Sequence, residues 1–143
     1  MSTLERAIEI AARAHAGQVD KAGQPYILHP LRLMLAVNGV NERMAAVLHD
    51  VVEDTKVTLD DLKSAGFPAE VLEAVSTLTK AKGESRISAA TRAARNPIAR
   101  AVKLADVRDN MDLSRIARPT EKDLERMKEY EQVLALLLSY PSA

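Results

Sequence analysis

Three stretches of this chain, far apart in sequence, carry the residue types of one metal site. His29 stands before Pro30. His49 and Asp50 are adjacent, with Glu53 and Asp54 just behind them. Asp106 is followed by Asn110. Two imidazoles and two carboxylates suit a divalent ion held by mixed nitrogen and oxygen ligands. Glu53 and Asp54 are spare carboxylates, placed to orient and deprotonate an attacking water. A metal set joined to such a pair points to a metal-dependent hydrolase.

Each piece also has an ordinary reading. A His-Asp dipeptide is common without a metal. His29 could be a helix N-terminal residue, Asp106 could pair with Arg108, and Glu53-Asp54 could be a solvated helix end. The distribution weighs against these jointly, because two of the three histidines fall in the constellation. The third, His15, reads as a packing neighbour of the ligands, with ligation the lesser alternative.

Spacing constrains the geometry. His49 and Glu53 are an i, i+4 pair, and so are Asp50 and Asp54, so each pair shares a helix face. Adjacent His49 and Asp50 point about 100° apart on a regular helix, so an ion reached by both must lie between their directions. Lys103, Asp106 and Asn110 fall on one stripe at i, i+3 and i+7. Lys21, Lys80, Arg86 and Lys103 are candidate cations for a phosphate. Lys80 and Arg86 read as solvated charges, and Lys21 and Lys103 are open to either role.

The elements that must position these residues all read as helices. Ser2-Thr3-Leu4-Glu5 matches a capping box before Leu4, Ala7, Ile8 and Ala11, with Gly17 as a stop. Residues 19 to 28 form a loop around Gly23 and Pro25. Pro30 suits the first turn of a second helix that Gly39 closes. Asn41 caps a third, running through Met44, Val47, Leu48 and Val51. Thr58 opens a short helix ended by Gly66, and Pro68 starts the next. An Ala- and Arg-rich helix over 85–95 breaks at Asn96-Pro97, before another over 98–110. Thr120 caps a long final helix through Leu138. No strand alternation, repeat or long linker is present, so the expectation is an all-α fold in one domain, residues 1–143.

Bulk composition excludes several classes. Lys+Arg and Asp+Glu both number 20, so no basic excess argues for nucleic acid or an anionic membrane as partner. Four aromatics, Tyr26, Phe67, Tyr130 and Tyr140, are too few for a base-stacking platform. The lack of cysteine removes disulfides, thiolate metal sites and Cys nucleophiles. Charges at Glu5, Arg6, Glu9 and Arg13 speak against a signal peptide, and the apolar run from Val133 to Leu138 is too short for a bilayer. A soluble, cytoplasmic protein is expected. Leu134, Leu137 and Leu138 would serve core packing, or alternatively a subunit interface.

Taken together, the motifs resemble the HD-domain hydrolases, and among them the hydrolase domain of RelA/SpoT-type alarmone enzymes. The resemblance runs through His15-Ala16-Gly17-Gln18, then Lys21 to Pro30, then Leu48-His49-Asp50-Val51-Val52-Glu53-Asp54-Thr55. It continues at Leu78-Thr79-Lys80, Asn96-Pro97, Val102 to Asp106 and Asn110-Met111. It implies a single HD-domain helical bundle holding one divalent ion, usually Mn2+, on His29, His49, Asp50 and Asp106. Glu53 and Asp54 would handle the attacking water. Asn110 would contact the ribose, and Lys21 would lie near the nucleotide. The implied reaction removes the 3′-pyrophosphate of ppGpp or pppGpp. No synthetase domain follows, so a stand-alone small alarmone hydrolase is expected.

Two positions depart from that pattern. Asp20 stands where relatives carry an Arg that stacks on guanine, and Arg86 stands where a Tyr is frequent. Loss of the stacked cation predicts a weaker grip on the base. Two other readings therefore stand beside the alarmone one. An HD-domain phosphohydrolase could act on another nucleotide such as NADPH, or the fold could be a non-catalytic nucleotide-binding module. The Glu53-Asp54 pair argues against the second, since binding alone does not need it.

Overall fold

A computed structural model of the chain describes residues 2–141. The expected all-α fold is present. Its helices are α1 (Leu4–Ala14), α2 (Leu28–Ala36), α3 (Val40–Leu48), α4 (Val51–Asp54), α5 (Leu59–Ser64), α6 (Ala69–Leu78), α7 (Arg86–Ala94), α8 (Pro97–Asn110) and α9 (Glu121–Ser139). A short 3-10 turn, Leu113–Arg115, lies between α8 and α9 and has no counterpart in the sequence reading. Among the described residues there is no β-strand, only an isolated bridge between Val19 and Pro25 that closes the α1–α2 loop.

Most starts follow side-chain capping. Thr58 with Asp61 and Thr120 with Asp123 form reciprocal capping boxes, and Asn96 caps α8 with Pro97 in its first turn. Three boundaries differ from expectation. Thr3, not Ser2, caps α1, because the Ser2 hydroxyl is spent on the Ala65 carbonyl and its amide on that of Gly66. Helix α2 begins two residues before Pro30. Gly39 does not close α2 but precedes α3, as its N-cap in place of Asn41, at φ +92°. A Cβ there would meet only the mobile end of the Glu42 side chain, so it is the positive φ that favours glycine at this entry.

The largest departure lies at the centre of the fold. The expected single helix through His49 and Asp50 is interrupted there. The His49 amide reaches back three residues to Ala46, Asp50 flattens to φ −104° and ψ 0°, and α4 restarts at Val51. The break sits among α1, α2, α6 and α8, which all pack on α3 or its neighbours.

Two apolar clusters hold the elements. The larger joins buried Ala7, Leu33, Leu48, Leu62, Val71 and Val102 from α1, α2, α3, α5, α6 and α8. The smaller joins Ala90 and Ala94 of α7, Val107 of α8, and Val133 and Leu137 of α9. Helix α8 serves both. The final leucines divide: Leu134 and Leu137 pack inward, and Leu138 is exposed. No helix among the described residues is long and apolar enough to cross a membrane.

Candidate metal centre

The helix break brings neighbouring side chains together. His49 Nε2 lies 2.9 Å from Asp50 Oδ2 and 3.8 Å from Asp106 Oδ1. A regular helix would have aimed His49 and Asp50 apart. His29, on the first turn of α2, completes the cluster. The ligating atoms of His29, His49 and Asp106 all lie within 4.8 Å of one another, and all three residues are buried.

The donor chemistry fits a cation. The His49 Nδ1–H donates to the Ala46 carbonyl at 2.7 Å, which leaves the lone pair on Nε2. That buried nitrogen faces two carboxylates yet has no hydrogen-bond partner among the described residues. Lone pairs converging from an imidazole and two carboxylates need a positive charge between them. A divalent ion coordinated by His29, His49, Asp50 and Asp106 would supply it.

Around the cluster, polar groups orient the ligands. The hydroxyl of half-buried Tyr26 donates to Asp50 Oδ2; desolvation and the Asp50 charge push its pKa far above the phenol range, so it stays a donor. Burial disfavours ionised Asp106, but the Lys103 charge and the hydrogen bond from His29 outweigh it and hold its pKa well below the carboxylate range. Lys103 Nζ donates to Asp106 Oδ2 at 3.1 Å, and Asn110 Nδ2 to Oδ1 at 3.0 Å. Both expected substrate contacts thus also grip a ligand candidate.

Proton and metal compete at His29. Burial opposes its charge, but hydrogen bonds to Asp106 and Asp109 raise its pKa to about 9. Because this exceeds the ordinary 6.5, protonation stabilises the metal-free fold below 6.5, and that contribution is lost as pH rises through about 9. Coordination needs the proton removed, so the sign reverses for the ion. Calorimetric titration with Mn2+ should show affinity rising about tenfold per pH unit for each proton displaced, then levelling above about pH 9. A pH-independent affinity with no proton release would contradict this.

A cleft of about 470 Å³ opens over the cluster. Glu53 and Asp54 line it one turn beyond Asp50. Glu53 accepts the Lys80 amide at 2.6 Å. Burial and repulsion from Asp50 and Glu53 raise the Asp54 pKa to about 6, which poises a base near neutrality. Lys21 also lines the cleft, and burial and the nearby charge of Arg126 lower its pKa. Arg86 is not the free cation the sequence suggested: its guanidinium lies 5.0 Å over the Tyr130 ring, and its Nε is 3.2 Å from Glu129. Asp20 turns inward on its own loop, where Oδ1 accepts the Ala22 and Gln24 amides at 2.8 and 3.0 Å. Asp20 also lines the cleft, with that oxygen tied to its own loop.

Sequence reasoning missed Tyr26, Arg32, Asp109 and Arg126, which also line the cleft. Asp109 follows Asp106 by three residues and Arg32 follows His29 by three, so helical spacing could have flagged both. His15 packs against the Tyr26 ring at 4.9 Å, as a neighbour of the cluster.

Comparison with known proteins bears on this arrangement. A family model described as an HD domain matches residues 7–137. A probable GTP pyrophosphokinase of Mycobacterium leprae is 38% identical over 96% of this chain and 19% of its own length. The bifunctional (p)ppGpp synthase/hydrolase RelA of Mycobacterium tuberculosis is 38% identical over 96% of this chain and 20% of its own length. A guanosine-3′,5′-bis(diphosphate) 3′-pyrophosphohydrolase of Vibrio cholerae is 33% identical over 85% and 19%. The chain thus spans about a fifth of the length of these curated relatives. A solved structure of a metazoan ortholog of SpoT that hydrolyzes ppGpp shares the fold, with a TM-score of 0.78 and 23% identity over 100% of this chain and 89% of that one.

Proposed function

Because this chain belongs to the HD-domain family, we propose that it is a metal-dependent phosphohydrolase that removes the 3′-pyrophosphate of guanosine alarmones. The observation that carries this reading is the convergence of His29, His49 and Asp106 under a cleft that Lys21 also lines. Acidic ligands for an ion beside a cation for an anionic group suit a phosphorylated substrate. The 3′-pyrophosphohydrolase names of the relatives supply the reaction.

In this reading His29, His49, Asp50 and Asp106 hold one divalent ion, taken to be Mn2+. When bound, it supplies Lewis-acid polarisation of the phosphoryl oxygen. Glu53 and Asp54 orient the water and accept its proton. The water oxygen joins the phosphorus attached to the ribose 3′ oxygen, that P–O bond breaks, and the 3′ oxygen takes a proton. The products of ppGpp are GDP and pyrophosphate. Asn110, Lys103 and Lys21 contact the nucleotide, with Lys21 carried on the loop that Asp20 ties down.

The test is incubation of the purified protein with Mn2+ and a panel of ppGpp, pppGpp, GDP and NADPH, with products resolved by ion-exchange chromatography. Release of GDP and pyrophosphate from ppGpp is expected. Turnover of NADPH with no cleavage of ppGpp would replace this reading with hydrolysis of another nucleotide, which the missing guanidinium at Asp20 favours. No turnover of any nucleotide would leave a binding module.

A further inference from the structure

One half-buried carboxylate beside the centre has no part in that chemistry. We propose that Asp109 is a positioning residue for the metal centre: clamped by Arg32, its carboxylate holds the Nδ1–H of His29 and so directs the Nε2 lone pair toward the ion. The proposal rests on the metal reading above.

The geometry is a ladder between two helices. His29 and Arg32 lie one turn apart on α2, and Asp106 and Asp109 one turn apart on α8. The His29 ring bridges both acids, with Nε2 2.9 Å from Asp106 Oδ1 and Nδ1 2.6 Å from Asp109 Oδ2. Arg32 then takes both oxygens of Asp109, Nε to Oδ1 at 2.8 Å and Nη2 to Oδ2 at 2.9 Å. Arg115 approaches Oδ2 at 3.5 Å and donates to the Asp109 backbone carbonyl at 2.9 Å. Such a forked pair leaves the carboxylate little freedom to rotate.

A neutral imidazole ligates through whichever nitrogen lacks hydrogen. A partner that can only accept keeps the hydrogen on Nδ1 and leaves Nε2 for the metal. Oδ2 accepts from His29 Nδ1 and Arg32 Nη2 and has Arg115 nearby, whereas Oδ1 accepts only from Arg32 Nε. Asparagine at 109 therefore keeps its oxygen on the Oδ2 side, still accepts from His29 and preserves the tautomer, while its NH2 turns toward Arg32 Nε. Alanine imposes no tautomer, and leucine keeps the volume but offers no acceptor. A tautomer role therefore makes alanine and leucine damaging and spares asparagine, whereas a packing role spares leucine.

The measurement is Mn2+ affinity, read from the paramagnetic resonance signal of the free ion, with circular dichroism and melting temperature as checks on folding. Asp109→Ala and Asp109→Leu should each weaken binding by about 10- to 100-fold, and Asp109→Asn by much less. Unaltered affinity in the folded alanine and leucine variants, or a loss in asparagine as large as theirs, would overturn the proposal. So would failure of all three variants to fold, which would make Asp109 a residue of the fold alone. If the unaltered chain binds no Mn2+, the metal reading itself fails. Binding by the unaltered chain with indifferent variants refutes only the role of Asp109.

Discussion

Asp106→Ala is expected to empty the metal centre and reduce turnover to background. This carboxylate is the point where α8 meets the two histidines, and it also satisfies Lys103 and Asn110. Its removal takes away a proposed ligand together with the charge that pairs with the half-buried Lys103 ammonium. Partners outside the ligand set typically change metal affinity about 10- to 100-fold, so loss of a ligand should exceed that. His49→Ala should behave alike, since its buried Nε2 lies 2.9 Å from Asp50 Oδ2 and 3.8 Å from Asp106 Oδ1, where an ion held by both carboxylates would take its lone pair. Metal analysis of the dialysed, Mn2+-loaded proteins decides the matter, and near-stoichiometric ion in both variants would refute the ligand assignment. Asp106→Asn serves as a companion, because it retains volume and a hydrogen-bond acceptor while losing the charge.

The second large effect separates binding from chemistry. Glu53→Gln and Asp54→Asn should each retain the ion and lose about 10²-fold or more in rate, the scale of general-base removal. Gln at 53 can still accept the Lys80 amide, so the loop after α6 should stay in place. Burial and the charges of Asp50 and Glu53 raise the Asp54 pKa to about 6, the range expected of a base working near neutrality. Metal content and single-turnover rates on ppGpp should be measured on the same preparations. A double variant that turns over like the unaltered chain would remove both residues from the mechanism.

Much of this architecture was legible in the sequence because local signals were strong. Thr58-Asp61, Asn96-Pro97 and Thr120-Asp123 are capping patterns whose geometry is decided within a few residues. The convergence of His29, His49 and Asp106 was legible too, because two of the three histidines and an aspartate in the apolar stretch 102–107 stand out. Illegible parts depend on tertiary contact. The break at His49-Asp50 has no glycine or proline to announce it; the surrounding helices and Tyr26 impose it. Ser2 caps nothing because the α5–α6 turn lies beside it. The second tasks of Lys103 and Asn110 need the same packing, as does the grip of Asp109 on His29. In isolation those residues look like ordinary exposed polar positions on α8.

The wide sequence separation of the cluster has a consequence for how the chain reaches and keeps its native state. His29 meets Asp106 across 77 residues and Asp109 across 80. No local fragment holds these groups together, so the complete set exists only once α2 has closed on α8. An ion that binds this set binds the folded chain and ignores the unfolded ensemble. It then acts as a ligand of folding: at a concentration 100 times its dissociation constant it would deepen the native well by about 2.7 kcal/mol. Metal supply would thus govern the abundance of the folded protein as well as its turnover.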